Sequence, residues 1–264
     1  MMIPFSQIDA FADRPFTGNP AAVMPLDTWL DDTVLQSIAL ENNLSETAFL
    51  IPDASGDSDY ELRWFTPAAE VALCGHATLA SGHFILSMDQ AIDRVTFRTR
   101  RAGILEVARD GADYAMALPA WTPSPKPLPE IVKALGIAAP VETLWHDKGY
   151  ALVIVSDEAT VRTLQPDLSA LARCGQYVVI VSAAGEETDV VSRVFTPAFD
   201  IPEDPVTGSA HAVMVPWWAA RLKRESFTAY QASARGGYVG CRLSGDKVVL
   251  TGNCITVIEG MFRI

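Results

Sequence analysis

One segment occurs twice in this sequence, and this repetition constrains the fold more than any other feature. Residues 65–78 read FTPAAEVALCGHAT, and residues 195–211 read FTPAFDIPEDPVTGSAH. Both begin with Phe-Thr-Pro-Ala, pass through an acidic residue, and reach a glycine, small residues and a histidine. The two copies begin 130 positions apart in a chain of 264 residues. Self-similarity at about half the chain length predicts two copies of one structural unit.

Segments on the N-terminal side of the repeat recur at nearly the same offset. Each half is predicted to have two strands there, and each strand follows a polar or glycine turn. The predicted strands are residues 17–26, 42–52, 147–156 and 173–183. Between the two strands of each pair, apolar residues at spacings of three and four predict a helix, over 30–42 and 158–173.

Segments on the C-terminal side also match. A second helix is predicted over 76–88 and over 208–224, and its apolar residues cover nearly all faces, which is typical of a helix enclosed by a sheet. Hairpins are predicted over 100–119 and 234–253, because alternating residues flank D-G and S-G-D turns. The expected fold class is therefore α+β, with two pseudo-symmetric units, each a barrel-like and mostly antiparallel sheet around a central helix.

The repeat also suggests where the domains divide. We expect the first domain to begin with residues 1–118 and the second to comprise 119–254, with the proline-rich run TPSPKPLP (122–129) as the linker. Two such units would meet with their repeated segments on either side of a cleft. Each segment would bring a helix N-terminus, whose free N–H groups can bind a small carboxylate.

Composition excludes several classes of protein. With 49% hydrophobic and 20% charged residues, the chain has an ordinary globular composition. Its formal net charge of −12 argues against a nucleic-acid partner, which needs a basic surface. No apolar stretch is long enough for a membrane span, and the first residues lack the pattern of a signal peptide. We therefore expect a cytoplasmic protein.

The cysteines and histidines predict neither a disulfide framework nor a metal site. The four cysteines are far apart and form no C-x-x-C pair, and no three cysteines or histidines have a ligand spacing. Among the histidines, His83 is expected to form a hydrogen bond in the core and His146 to lie on the surface. His211 is expected to pack within its helix, although a position in the cleft stays open.

The candidates for chemistry are found where the two copies differ. At the offset of the repeat, Cys74 corresponds to Asp204, so one copy offers Cys74 and His76 and the other offers Asp204, Ser209 and His211. Glu46 is a lone carboxylate in front of an apolar strand. Its pattern is compatible with a general acid/base and equally with a turn or capping residue.

Four segments resemble a known family. TGNPAAV, LSETAFL, FTPAAEVALCGHATLA and EDPVTGSAH are similar to the signature segments of the PhzF-like proteins of phenazine biosynthesis, within the wider diaminopimelate epimerase fold. The resemblance covers essentially the whole chain in order. It implies two similar domains with the active site between them, isomerisation without a cofactor, and a homodimer. It also implies that the last strand, residues 255–264, returns to the first domain.

The resemblance also implies roles for individual residues. Glu46 takes the place of the general acid/base, and His76 and Asp204 match its partner residues. Gly75 and Ser209 match positions that help to bind the carboxylate or other polar groups of the substrate. The complete set of substrate-binding candidates is Gly75, Ser209, Gly208 and Asn19.

These expectations converge on a cofactor-independent isomerase that acts on a small carboxylate-bearing metabolite. A single carboxylate can remove a proton from one carbon and return it to another, which fits Glu46. A two-base racemase or epimerase is an alternative, but it would need a second thiol where this chain has Asp204, so Cys74 is better interpreted as a packed turn residue. The other alternative is a catalytically silent binding protein. The presence of Glu46, His76 and Asp204 together favours an enzyme.

Overall fold

The computed structural model describes residues 1–138 and 142–264. Its contacts divide the chain into two compact units, one formed by Met1–Ala117 with Thr251–Ile264 and the other by Leu118–Leu250. Both units contain a large share of strands and a few helices, so the predicted α+β class is confirmed. None of the helices in the described chain combines the length and the apolar character needed to cross a membrane.

The elements alternate between strands and helices in a similar order in both halves. The first are β1 (Met2–Ala10), β2 (Asn19–Pro25), α1 (Asp32–Asn42), β3 (Glu46–Pro52), β4 (Tyr60–Phe65), β5 (Glu70–Val71), α2 (Gly75–Met88), β6 (Arg94–Thr99), β7 (Ile104–Asp110) and β8 (Asp113–Pro119). The next are β9 (Ser124–Pro125), α3 (Pro129–Ala134), β10 (Glu142–His146), β11 (Tyr150–Ile154), α4 (Glu158–Thr163), α5 (Leu168–Cys174) and β12 (Val178–Ala184). The last are β13 (Val190–Thr196), a 3-10 helix (Pro197–Phe199), β14 (Ile201–Asp204), α6 (Gly208–Leu222), β15 (Ser226–Gln231), β16 (Gly237–Ser244), β17 (Lys247–Gly252) and β18 (Cys254–Arg263).

The first unit is a mixed sheet that surrounds helix α2. Its strands pair in the order β18, β1, β2, β3, β4, β6, β7 and β8, and β5 pairs with β4. The pairs β2–β3 and β4–β6 are parallel because a helix, α1 or α2, connects their strands, whereas the other pairs are antiparallel. Helix α2 contacts strands from both ends and the middle of this order, among them β18, β2 and β7. This enclosure explains why its sequence is apolar on nearly every face.

Helix α2 approaches the sheet closely at Gly82. A Cβ atom at this position would lie 2.3 Å from Cγ1 of Val107 in β7, so only a glycine lets the helix backbone come this near. Polar side chains of the helix are satisfied locally: the Thr78 hydroxyl donates to the carbonyl of Cys74 at 2.6 Å. The N-terminal turn of α2 is thereby held in a fixed position.

The second unit repeats this connectivity. Its strands pair in the order β9, β10, β11, β12, β13, β15 and β16, with β14 on β13. The parallel pairs are again the ones joined by helices: α4 and α5 lie between β11 and β12, and α6 lies between β13 and β15. In this order the short strand β9 has the place that β18 has in the first unit.

Side-chain interactions are repeated as well. In each unit an arginine guanidinium lies 4.9 Å from the centroid of a phenylalanine ring two residues along the same strand, and it forms two hydrogen bonds to a glutamate. The two sets are Arg63, Phe65 and Glu70 in the first unit and Arg193, Phe195 and Glu203 in the second. The phenylalanines that begin the repeated segments therefore have the same local environment.

The proline-rich run is not a linker, which corrects the prediction for residues 122–129. Ser124 pairs with Trp145 in β10, and the Lys126 N–H donates to the carbonyl of Thr143 at 3.0 Å. Prolines are tolerated there because β9 is short and lies at the edge of its sheet. The run belongs to the second unit.

The helix predicted over 158–173 is two helices, α4 and α5. Pro166 lies between them, lacks an N–H group and disfavours helical geometry at the preceding residue, so the first helix ends before it. Each helix has its own N-cap aspartate: Asp157 accepts from the Thr160 N–H and Asp167 from the Ala170 N–H, both at 2.8 Å.

The two boundaries between the units lie slightly earlier in the chain than the sequence predicts. They fall at 117/118 and 250/251, whereas the predicted boundaries are 118/119 and 254/255. The difference at the second boundary has a clear cause. Cys254 pairs with Ala10 in β1, and the Ala12 N–H donates to the carbonyl of Asn253 at 3.0 Å. These contacts attach the residues just before β18 to the first unit.

Candidate active site

The first unit brings Glu46 and His76 into direct contact. Glu46 is the first residue of β3, beside Ala21 of the parallel strand β2, and His76 is the second residue of α2. The Nε2 atom of His76 lies 3.0 Å from Oε2 of Glu46. The Glu46 side chain keeps 13% of its surface exposed whereas the imidazole is almost fully buried, so the carboxylate is the member of the pair that solvent can reach.

The other side of the imidazole contacts Asn19 and Cys74. The Nδ1 atom of His76 lies 3.2 Å from Nδ2 of Asn19 and 3.5 Å from Sγ of Cys74. In this orientation the Asn19 amide nitrogen donates to an unprotonated Nδ1, and a flip of the amide would present its oxygen to the Nδ1–H of a charged ring. Asn19 follows Gly18, which has a positive φ of 66°. A Cβ atom at this position would lie 2.3 Å from the carbonyl oxygen of Ala10, so only a glycine fits here.

The surroundings of His76 and Cys74 shift their pKa values upward. Burial alone would lower the pKa of the His76 imidazole, but its interactions with Cys74 and Glu46, which favour the protonated ring, outweigh burial and hold this pKa well above 6.5. Burial, reinforced by the negative charge of Glu46, raises the pKa of the Cys74 thiol to about 11. At neutral pH the Cys74 thiol is therefore protonated.

Glu46, Cys74 and His76 also form a group of potential metal ligands. One ligand atom from each lies within 4.8 Å of the others. The sequence pattern did not suggest this group, because Glu46 is far from the other two along the chain and no ligand spacing connects them. The three donors can in principle share a proton or hold a metal ion, so the expectation that the chain has no metal site stays a prediction.

The second unit positions Asp204 at the end of β14. The Thr207 hydroxyl donates to Oδ2 of Asp204 at 2.5 Å. Gln231 bridges the two ends of this loop: its amide nitrogen donates to the Asp204 carbonyl at 2.7 Å, and its amide oxygen accepts from the Thr207 N–H at 2.9 Å. The turn between β14 and α6 is therefore fixed by a buried amide from β15.

Ser209 lies in the first turn of α6 and is hydrogen-bonded to Tyr150 of β11. Burial raises the pKa of the Tyr150 phenol, the hydrogen bond from Ser209 opposes this effect, and the charge of Asp204 adds to it. Sequence reasoning did not identify Tyr150. The available signal was the repeat itself, since Tyr150 opens the strand that corresponds to the one beginning with Asn19.

The remaining histidines have structural contacts. His211 is fully buried, its Nδ1 atom lies 2.8 Å from the Thr207 carbonyl, and burial lowers its pKa to about 4, so it is neutral and packs within its helix as expected. His83 forms a hydrogen bond to a threonine hydroxyl at 3.0 Å. His146 is half-buried and stacks on the ring of Trp121, so it is less exposed than the sequence indicated.

The predicted site residues thus form two groups, one in each unit. Glu46, His76 and Asn19 contact one another in the first unit, where Gly75 is the first residue of α2; Asp204 lies in the second unit with Gly208 and Ser209, the first two residues of α6. Both helices therefore begin beside the candidate residues. Their first-turn N–H groups have no partners within the helix, which makes each N-terminus suited to an anionic group.

Comparison with known proteins places the chain among relatives of one family. A family model described as phenazine biosynthesis-like protein matches residues 8–260. An uncharacterized isomerase of Pseudomonas aeruginosa is 46% identical over the whole of both chains. The crystal structure of a PhzF-family phenazine biosynthesis protein from Enterococcus faecalis is 41% identical, covers both chains completely and has a TM-score of 0.92. A hydroxyproline epimerase from Agrobacterium vitis, only 12% identical with a TM-score of 0.65, shares the fold over 98% of this chain and 92% of its own.

Proposed function

Because the chain belongs to the PhzF-like family, whose relatives are named isomerases, we propose that it is a cofactor-independent isomerase acting by general acid/base catalysis. Its substrate is a small metabolite that carries a carboxylate. The reaction moves a hydrogen between two carbons, and Glu46 carries the proton. The names of the relatives support an isomerase- or epimerase-type activity, whereas the role of Glu46 is inferred from the residues of this chain.

The observation that carries the proposal is the contact between Glu46 and His76. The imidazole binds Oε2 of the carboxylate at 3.0 Å and is itself held by Asn19 and Cys74 on its other nitrogen. A carboxylate fixed at one oxygen keeps its second oxygen available for a substrate proton. The pre-oriented geometry is what general base catalysis on a carbon acid requires.

In the proposed reaction, Glu46 takes the proton from one carbon of the substrate, and the electron pair of that C–H bond is delocalised into the conjugated acid. The same carboxyl group then returns the proton to a second carbon. No atom is gained or lost, and Glu46 ends in its initial state. His76 orients the carboxylate and stabilises its charged form through the 3.0 Å contact between Nε2 and Oε2.

Substrate binding is assigned to the helix N-termini and the polar groups next to them. The N–H groups at Gly75, at the start of α2, are suited to a carboxylate because the helix dipole favours negative charge there. For Ser209 and Gly208, at the start of α6, we propose a role in binding polar groups of the substrate, as the family resemblance implies. Asp204, fixed by Thr207 and Gln231, is proposed as the partner acid.

A two-base epimerase is the second candidate, and the position of Cys74 beside His76 is the observation in its favour. A thiol whose pKa is raised to about 11 is a poor base at neutral pH, although it can donate a proton. This asymmetry favours Glu46 as the group that removes the proton. The second unit offers Asp204, not a thiol, at the corresponding position.

A ligand search with proton exchange as the readout tests the proposal. Small cyclic and amino acids are incubated with the protein in D2O, and deuterium incorporation at carbon is followed by NMR. We expect at least one acid to exchange in a protein-dependent manner, with the rate unchanged after treatment with EDTA. Binding without exchange would support a silent binding protein, and a rate abolished by EDTA and restored by Zn²⁺ would show that the Glu46, Cys74 and His76 group works as a metal site.

A further inference from the structure

Glu46, Cys74 and His76 bring three kinds of donor atom together inside the first unit. One carboxylate oxygen, one sulfur and one imidazole nitrogen lie within 4.8 Å of one another. Cys74 and His76 are only 5% and 4% exposed, whereas the Glu46 side chain keeps 13% of its surface exposed. The donor set is therefore almost enclosed, and an ion can reach it from the side of Glu46.

The contact between His76 and Glu46 leaves both of its atoms available to an ion. Nε2 and Oε2 are 3.0 Å apart, but neither atom has a hydrogen-bond partner among the described residues. The distance suits a hydrogen bond, so it is the direction of the two groups that does not. Buried polar atoms are normally satisfied, and one cation can satisfy two such atoms that lie side by side.

We propose that Glu46, Cys74 and His76 bind one Zn²⁺ ion and that the bound ion inhibits the enzyme. Thiolate, imidazole and carboxylate ligands together suit Zn²⁺, whereas Mg²⁺ and Ca²⁺ prefer sites made of oxygen alone. Three protein ligands leave the fourth tetrahedral position to water. The thiolate and the carboxylate carry two negative charges, which neutralise the ion in a place where an uncompensated charge is costly.

The separations of the donor atoms are close to those of a tetrahedral zinc site. Bonds of about 2.0 Å to nitrogen and oxygen and about 2.3 Å to sulfur require N–O separations of about 3.3 Å and separations from sulfur of about 3.5 Å. The observed distance between Nε2 and Oε2 is 3.0 Å. Closing a separation of 4.8 Å takes about 1.3 Å, a smaller displacement than a change of one side-chain rotamer produces.

Asn19 can support the zinc-bound imidazole. A histidine that binds zinc through one ring nitrogen donates the N–H of the other nitrogen to an oxygen in most sites. The Asn19 amide lies 3.2 Å from Nδ1 of His76, and in its flipped orientation the amide oxygen accepts from Nδ1–H. Asn19 is therefore placed to hold the ring with Nε2 directed at the ion.

Inhibition follows from the ligand set, and this part of the inference rests on the proposed function. When sulfur binds the ion, the Cys74 thiol releases its proton to solvent, because the thiolate is the ligand. The Glu46 carboxylate then neutralises the ion, which makes it a weaker base toward a proton on carbon. The metal-free protein is the active form, and removal of the ion by a chelator restores it.

Binding of Co²⁺ tests the metal site without a substrate. The protein is treated with EDTA, freed of the chelator and titrated with Co²⁺, whose bond to a thiolate gives a charge-transfer band in the near ultraviolet. We expect one equivalent to produce the band in the wild type, and Zn²⁺ to remove it by displacing Co²⁺. Cys74→Ser should abolish the band. Cys174→Ser, at a half-buried cysteine of the second unit, is the matched control and should keep it.

Calorimetry with Zn²⁺ tests the carboxylate ligand. Glu46→Gln should raise the dissociation constant at least about tenfold, since the loss of a residue that merely supports a metal ligand already costs that much. Glu41→Gln, an exposed position on α1, should leave the constant unchanged. Thermal unfolding verifies that each variant is folded. A wild type without the Co²⁺ band, or a band that survives Cys74→Ser, overturns the metal site.

The deuterium-exchange assay measures inhibition. Zn²⁺ should lower the exchange rate of the metal-free protein in proportion to the fraction of occupied sites, and EDTA should restore it. A rate that is unchanged or increased at full occupancy contradicts inhibition. A metal-free protein that binds Co²⁺ but exchanges no acid keeps the metal site and refutes the proposed function together with inhibition. A protein that exchanges an acid but binds neither ion refutes the metal site alone.

Discussion

Replacing Glu46 with glutamine should change the titration of His76, and this effect can be predicted with its sign and size. The variant keeps the shape of the side chain and a hydrogen-bond acceptor for Nε2 but removes the negative charge that lies 3.0 Å from the imidazole. In the wild type, the partners of His76 hold its pKa well above 6.5 against the effect of burial. The Cys74 thiol, whose pKa is about 11, is protonated and carries no charge at neutral pH, so it does not replace the charge of Glu46. Without that charge, burial becomes the dominant influence, and the pKa of His76 is expected to fall below 6.5.

The magnitude follows from the geometry. Two unit charges about 4 Å apart attract by about 4 kcal/mol at an effective dielectric constant near 20, and a smaller part of this is retained as net stability. At pH 6 the loss of this charged contact is expected to cost about 1.5–3 kcal/mol, the range for a polar interaction with a charged group. The imidazole pKa is raised in the folded wild type, so the stabilisation is complete below the unfolded value of 6.5 and is lost as the pH rises through the folded value.

In Glu46→Gln the pH dependence of the folding stability is reversed. A buried histidine with a lowered pKa resists protonation, so the variant loses stability as the pH falls below about 6.5, where the wild type does not. Urea unfolding at a series of pH values measures this loss of stability. NMR of the imidazole signals of the four histidines gives the pKa of His76 directly, and the His76→Asn variant identifies which signal belongs to His76. Glu41→Gln, an exposed position on α1, is the control and should leave both curves unchanged. A wild-type His76 that titrates at or below 6.5 would refute the reasoning.

Three further predictions concern other parts of the molecule. Gly82→Ala should lower the free energy of unfolding by about 1–3 kcal/mol because the new Cβ overlaps Val107, whereas the same change in a solvent-exposed helix is stabilising. Thermal melts measure the loss, and Val107→Ala in addition should restore part of it. With a pKa of about 11, only about one Cys74 thiol in a thousand is ionised at pH 8, so iodoacetamide should label it far more slowly than a free peptide cysteine in a mass-spectrometric time course; rapid labelling would contradict the buried thiol. Ser209→Ala should weaken binding of an identified ligand about tenfold in calorimetry while exchange per bound ligand persists; unchanged affinity would remove Ser209 from the binding site.

Much of the fold can be predicted from the sequence because the relevant signals are local and repeated. Alternation and turn residues locate β2, β3, β11 and β12 to within a few residues, and uniform apolarity marks α2 as an enclosed helix. The two-unit architecture follows from the repeat. The predictions for the Pro-rich run and for residues 158–173 are wrong for different reasons. Strand β9 is stabilised by a partner strand that local composition does not reveal. Around Pro166 the apolar spacing continues across a proline that ends the first helix.

The candidate site is less accessible to sequence reasoning. Glu46 and His76 were selected together through the family resemblance, since no local pattern connects a strand residue with a helix residue 30 positions later. The contacts of Cys74 and Asn19 with the same imidazole depend on how α2 packs inside its sheet. Tyr150 was missed because a tyrosine at the start of an apolar strand is ordinarily a packing residue. Long-range packing, which periodicity does not encode, produces all of these contacts.

The central claim is that Glu46 carries the proton, and the most direct measurement compares solvent-deuterium incorporation by the wild type, Glu46→Gln and Cys74→Ala on one exchanging substrate. Glutamine has nearly the same shape as glutamate but no basic oxygen, so folding and ligand affinity should be largely retained. We predict that Glu46→Gln lowers the exchange rate at least about a hundredfold and that Cys74→Ala changes it little. If Glu46→Gln exchanges as fast as the wild type while Cys74→Ala does not, the proton carrier is the thiol and the account is wrong.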